Sequence, residues 1–338
     1  MQPVHQSVKS MQALLTIAIP TYNRATYLNL CLSRLSEELD RLNDDHRKLV
    51  RVYVSNNAST DNTSEVISRY LRIAVVEFEV VINAENIGGE LNVAQCYSSA
   101  TTPYVWILGD DDVVLPGGLD RVLNALFHGN VDLLYLNNYW FIDDYTAHLS
   151  SYINHNIVIY KSALEFARST NVMLTFISGL IVRTSVNLRQ YSSVVDGCNL
   201  PQMGWVLPLL RDGKCFATIE DWVVAAKGSN SGGYGLVKVF GSNLVRITNE
   251  ILKDKPDIAR AIQNGTIVNF FPSFILDFRK GNSQFADKDM GVGLKEAYGD
   301  NWRYYVFLAP LIRLPLFVAN YYHVFLKVIR RLFHSAFL

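Results

Sequence analysis

The chain has 338 residues with 31 basic and 31 acidic side chains, so its formal net charge is zero. Hydrophobic residues make up 49% and charged residues 18%, which supports a packed core and excludes wholesale disorder. Without a basic excess the chain is not a general nucleic-acid binder, and no nucleic-acid partner is expected.

The first 12 residues are polar, read as a flexible tail, and carry no apolar secretory core, so no signal peptide is expected. Leu14 to Pro20 then reads as a buried strand ended by Pro20. Leu28, Cys31, Leu32, Leu35 and Leu39 repeat at helical spacing within Tyr27 to Leu42. Val50 to Val54 is a second strand, Asn56 to Asp61 a polar turn, and Ser64 to Leu71 a short helix. Val75 to Ile82 is a third strand, and Asn86-Ile87-Gly88-Gly89 turns into a helix that runs through Ala100. Pro103 to Leu108 is a fourth strand. Four β-then-α units imply right-handed crossovers and an α/β fold with a mainly parallel sheet. Beyond them, Val131 to Asn137 and Phe176 to Arg183 read as strands, and Pro201 to Leu210 as a helix. Gly228 to Gly235 (GSNSGGYG) is too glycine-rich for a regular element and reads as a loop. Cys31, Cys96, Cys198 and Cys215 are far apart, suggest neither a zinc site nor a disulfide framework, and suit a reducing cytosol.

The fourth strand ends in Gly109-Asp110-Asp111-Asp112. The carboxyl ends of strands are where open α/β sheets bind ligands. Three adjacent carboxylates repel, and a divalent cation bridging to a diphosphate would offset that repulsion. A solvated acidic turn is the other reading of the triplet taken alone.

Four segments together resemble the family 2 glycosyltransferases of the GT-A fold. They are Pro20-Thr21-Tyr22-Asn23-Arg24, Ser55-Asn56-Asn57-Ala58-Ser59-Thr60-Asp61, Asn86-Ile87-Gly88-Gly89 with Asn92, and Leu108-Gly109-Asp110-Asp111-Asp112 with Pro116. The resemblance covers residues 14 to about 120. It implies a GT-A (Rossmann-like) mixed, mainly parallel sheet flanked by helices. It also implies transfer of a sugar from a nucleoside diphosphate sugar to an acceptor hydroxyl, with Mn²⁺ or Mg²⁺. Pro20, Thr21, Tyr22, Asn23, Arg24, Asn56, Asn86, Gly88, Asn92 and Asp110 would then contact the donor. Asp110 would lie near the ribose and Asp111 or Asp112 on the metal, a variant of the DXD motif. Gly109 stands where many relatives have a further aspartate.

Two departures bear on mechanism. Asn56 replaces an aspartate that in many relatives accepts the uracil N3–H. An amide offers both a donor and an acceptor, so a CDP-sugar is slightly favoured over UDP-, dTDP- or GDP-sugars. The family's Glu-Asp pair, whose Asp takes the acceptor proton, would fall on Pro201-Gln202, and an amide cannot act as a base. Asp196 is the nearest candidate base. A front-face retaining reaction, in which the leaving diphosphate takes the proton, stays open beside it. Lys227, next to the glycine-rich loop, is a candidate phosphate contact in the catalytic set, and the loop suits a lid. Both departures resemble transferases of dideoxy sugars from CDP donors, the abequosyltransferase type.

Arg303 to Leu338 is rich in Leu, Phe, Tyr and Val, punctuated by Arg313, Lys327, Arg330 and Arg331 and broken by Pro310 and Pro315. It reads as an amphipathic membrane-associating extension. The expected organisation is a tail at 1–12, a GT-A domain at 13–218 and a lid and helical region at 219–300. The donor half of the GT-A domain is 13–120 and the acceptor half 121–218. Amphipathic helices at 301–338 complete the chain. The expected acceptor is a polyprenyl-diphosphate-linked oligosaccharide in O-antigen synthesis, used by a peripheral enzyme at the cytoplasmic face of the bacterial inner membrane. The alternatives are a nucleotidyltransferase-like protein or a non-catalytic membrane partner. Trp140, Trp205, Trp222 and Tyr234 suit core or loop packing, with stacking on sugar faces as the other reading.

Overall fold

The computed structural model describes residues 12–148, 156–228, 233–282, 285 and 289–332. Most of the expected N-terminal tail, residues 229–232 of the expected lid and the last six residues of the C-terminal segment lie outside the described residues. One mixed sheet runs through the molecule in the order β3-β2-β1-β4-β8-β6-β9-β5, with β7 also paired to β9. Its strands are β1 (Leu15–Thr21), β2 (Val50–Asn56), β3 (Glu77–Ile82), β4 (Tyr104–Ile107), β5 (Val113–Val114), β6 (Leu133–Phe141), β7 (Ile157–Tyr160), β8 (Leu180–Arg183) and β9 (Phe216–Lys227).

The first half is parallel, β3-β2-β1-β4. Each crossover carries a helix (Ala25–Arg41, Thr63–Ile73 and Gly89–Ser98). Alternation decides the faces: Ile17 and Ile19 of β1 join the core under the first two of these helices. Ala18, with Val105 and Ile107 of β4, faces the other core, under Gly89–Ser98 and Met203–Asp212. Pro20 does not end β1, which runs one residue further to Thr21. Ala18 accepts from Leu108 N on the β4 side and Thr21 from Asn57 N on the β2 side. Pro20 therefore aims its missing N–H toward β4, which stops pairing at Ala18–Ile107, and no ladder bond is lost.

The second half departs from expectation. Phe176 to Arg183 is only partly a strand: Ile177–Gly179 forms a tight 3₁₀ turn and β8 begins at Leu180. β8 is antiparallel to both β4 and β6. β9 was not foreseen; it lies parallel to β6 and pairs antiparallel with β7 along its first half and with β5 along its second. Between the pairs Leu136–Ile219 and Asn138–Val224 the β6–β9 register shifts. There the Asn137 amide donates to Glu220 O at 2.8 Å, satisfying a carbonyl the ladder leaves open.

A third, helical core closes the chain, built around Phe271, Leu294, Phe307 and Leu308. Helix Leu316–Leu332 packs Ala319 and Leu326 into it. The segment is thus docked on the body, and it still presents Phe317, Tyr321, Val324, Phe325 and Val328 to solvent.

Candidate active site

The carboxyl ends of β1, β2 and β4 lie side by side, and the aspartate triplet sits there because β4 ends at Ile107 and the apolar run at Leu108. Asp110 and Asp112 are buried. Thr21 Oγ1 donates to Asp110 Oδ2 at 2.7 Å. Arg24 Nε lies 3.2 Å from Asp110 Oδ1, and a second guanidinium nitrogen pairs with Asp111 Oδ2. The guanidinium also lies over the Tyr27 ring, 4.9 Å from its centroid. Burial pushes the Asp110 carboxyl up to about 7, against the pull of Arg24. Burial, then the neighbouring Asp111 charge, raises Asp112 as well.

Asp112 is anchored from two later elements. Lys227 N donates to its Oδ1 at 2.8 Å, and the Ser178 hydroxyl bonds it while accepting from Gly109 N at 2.8 Å. The sequence reading missed Ser178; a lone polar residue inside an apolar run was its only signal. A Cβ built on Gly109 would lie 3.0 Å from Asp112 Oδ2, 3.1 Å from Asp111 Oδ1 and 3.2 Å from Ser178 Oγ. These oxygens therefore crowd together against the Gly109 backbone, and any side chain at position 109 would press on all three. Two carboxylates and a hydroxyl suit a hard cation such as Mg²⁺ or Mn²⁺, which takes its remaining ligands from phosphate and water. Among the described residues no group of three or more His, Cys, Asp or Glu converges as a complete cage.

The loop residues are placed less simply than the motifs suggested. Asn23, in the left-handed region at φ 51°, ties the first loop to the second. Its N–H donates to Ser59 Oγ at 2.9 Å and its Oδ1 accepts from Thr60 N at 2.7 Å. Asn56 is fully buried, its Oδ1 accepting from Ser59 N at 2.9 Å and its Nδ2 donating to Ser64 Oγ at 3.1 Å. Only its second N–H and second lone pair are left for a base. Asn86 accepts from Asn57 Nδ2 and Gly88 N, and Asn92 is buried against Ser55. Both brace the turn at Gly88, whose φ of 88° favours glycine. Tyr22 is exposed at the site's edge.

The Lys227 ammonium docks on Ile142 O, so toward the triplet it is the backbone N–H, not the charge, that acts. Beside the triplet opens a cavity of about 480 Å³ walled by Glu90, Trp140, Phe176, Ile177, Gln202 and Tyr234 among others. Its wall includes Ile177, the chain neighbour of Ser178, and Trp140, the chain neighbour of Phe141, which pairs with Lys227. Gln202 stands in this wall and donates to Thr175 O at 2.6 Å. Asp196 does not: it is exposed and lies outside the cavity wall. It closes the one-turn helix Ser192–Val195, and its turn carries it outward. Of the four aromatics singled out, Trp140 and Tyr234 line the cavity, whereas Trp205 is buried in a stack with Tyr97 and Trp222 packs on Tyr139.

The model of the family described as Glycosyl transferase family 2 matches residues 16–187, just over half of the chain. The abequosyltransferase RfbV of Salmonella typhimurium is 32% identical over 122 residues, 36% of this chain and 34% of that protein. An uncharacterized glycosyltransferase of Mycoplasma genitalium, MG025, is 30% identical over 116 residues, 34% of this chain and 37% of that protein. The matched stretch spans about a third of the length of these curated relatives. S. aureus TarS 1-349 in complex with UDP-GlcNAc superimposes with a TM-score of 0.59 at 15% identity, covering 93% of this chain and 89% of that one. The mannosyltransferase PcManGT from Pyrobaculum calidifontis, in complex with GDP-Man and Mn²⁺, gives 0.51 at 16% identity, covering 96% and 88%. The fold is therefore GT-A-like, as the motifs implied.

Proposed function

The chain belongs to glycosyl transferase family 2, and from that premise we propose that it moves a sugar from a nucleoside diphosphate sugar to an acceptor hydroxyl in a metal-dependent reaction. The observation that carries this reading is the convergence of Asp111 Oδ1, Asp112 Oδ2 and Ser178 Oγ beside Gly109, at the carboxyl ends of parallel strands. A divalent cation held there supplies charge neutralisation for the departing diphosphate. Asp110, which Thr21 and Arg24 hold, accepts from the ribose in this reading. Arg24 pairs with Asp110 and Asp111 and in this reading also contacts the donor phosphates.

A CDP-sugar is the favoured donor, supported by the likeness to an abequosyltransferase and by Asn56 in place of the base-reading aspartate. The saturation of Asn56 narrows its part to one spare N–H and one lone pair. The acceptor is proposed to be a lipid-linked oligosaccharide in O-antigen synthesis. Two features support a site at the cytoplasmic membrane face: the solvent-facing apolar stripe of Leu316–Leu332 and the basic residues Lys327, Arg330 and Arg331 on the same helix. No described helix is long and apolar enough to cross a membrane. Gln202 at the family's base position favours a second reading, a partner that keeps the fold without turnover. The test is a thermal-shift screen of CDP, UDP and GDP with and without Mn²⁺, followed by turnover of the matching sugar donors. Mn²⁺-dependent nucleotide binding with turnover supports the transferase. Nucleotide binding without turnover supports the second reading, and no nucleotide binding at all sinks both.

A further inference from the structure

Among the described residues one carboxylate, that of Glu90, lines the cavity. We propose that Glu90 is the catalytic base that takes the acceptor's proton; this rests on the transferase reading above. Among the described residues walling the cavity, Glu90 and Tyr234 are the titratable groups. Burial pushes the Tyr234 phenol up, which leaves it a donor rather than a base. Gln202 has no basic atom, and Asp196 lies outside the wall.

Glu90 is also held for the task. It sits in the first turn of helix Gly89–Ser98. Its Oε2 accepts from Gly197 N at 3.0 Å and its Oε1 from Asn199 N at 2.5 Å. Gly197 and Asn199 both adopt left-handed conformations, at φ 64° and 58°, and the turns they make present both amides to the carboxylate. A carboxylate has about four acceptor directions, so two remain after these bonds. Its half-buried position and its place in the wall open them to the cavity. In the step, the acceptor O–H breaks with its proton going to Glu90, and the acceptor oxygen bonds the anomeric carbon. The bond from that carbon to the diphosphate oxygen breaks, and its electron pair leaves with the nucleoside diphosphate.

The test uses the full chain with Mn²⁺ and, as probes, CDP-glucose, UDP-glucose and GDP-mannose with water as acceptor. Glu90→Gln is expected to lower kcat at least 100-fold, within the usual range of about 10²–10⁴ for general base catalysis. Binding of the cognate nucleotide should stay within twofold. Glu90→Asp should retain part of the rate, and formate should partly restore Glu90→Ala. Turnover of Glu90→Gln within threefold of wild type overturns the proposal. So does loss of nucleotide binding together with turnover, which would make Glu90 a clamp for the 197–199 turn. A wild-type chain that binds none of CDP, UDP and GDP with Mn²⁺ instead removes the transferase reading itself.

Discussion

Replacing Asp110 by Asn should stabilise the metal-free protein while damaging its site. Burial raises this carboxyl from 3.8 to about 7. A group whose folded value is raised contributes stability that is full below 3.8 and lost as pH rises through about 7. At about 1.36 kcal/mol per pH unit, the buried charge at pH 8 costs about 4 kcal/mol. The amide keeps one oxygen, so it satisfies Thr21 or Arg24 but not both, and the net gain falls to about 2–4 kcal/mol. With roughly 2.1 cal/mol/K of unfolding entropy per residue, that is a rise in Tm of roughly 3–6 °C for a chain of this length. The assay is a pair of thermal melts at pH 8 and pH 5 in EDTA. The margin over wild type should shrink to less than half at pH 5, where the wild-type carboxyl is largely protonated. An Asp110→Asn protein that melts below wild type at pH 8, or keeps one margin at both pH values, refutes the reasoning.

Gly109→Ala places a methyl 3.0–3.2 Å from three candidate ligand oxygens, and should raise the Mn²⁺ midpoint in a thermal-shift titration about tenfold, or about 1.4 kcal/mol; an unchanged midpoint would place the cation elsewhere. Lys227→Ala keeps the backbone N–H on Asp112 and should alter that midpoint less than about threefold, so a tenfold loss would show that the ammonium matters there. Gly265→Ala sets a methyl 2.2 Å from Asn171 Cβ; overpacking of this kind costs about 1–3 kcal/mol in urea unfolding, and an unshifted midpoint would mean that the two segments part freely. Serine at Phe317, Tyr321 and Phe325 together removes the outward aromatics of the last helix; co-sedimentation with vesicles containing anionic lipid should drop about tenfold or more, with the melting temperature nearly unchanged, and undiminished sedimentation would discard this face as the membrane contact.

The parallel half of the sheet was legible in the sequence because its signals are local. Apolar runs ending in Thr21, Asn56 and the aspartates mark the strands, the first three of which pair in chain order, and the first helix shows its own 3.6-residue period. The triplet's position at a strand end could be read the same way. The mixed half was not legible. β8 and β9 pair with strands far away in sequence, and their register depends on contacts that no local window contains. Hence Ser178 reaches Gly109 across 69 residues and Lys227 reaches Asp112 across 115.

By itself the sequence determined the kind of chemistry: carboxylates at a strand end with three companion loops specify a nucleotide-sugar site. Only the tertiary structure decided which groups are free to act. It closed Asn56 inside its own loop, turned the Lys227 ammonium away and carried Asp196 to the surface. It also brought Glu90 under the amides of Gly197 and Asn199, more than a hundred residues along the chain. Residue type and local spacing decide what a side chain is able to do, whereas its availability depends on hydrogen-bond partners that folding brings from elsewhere.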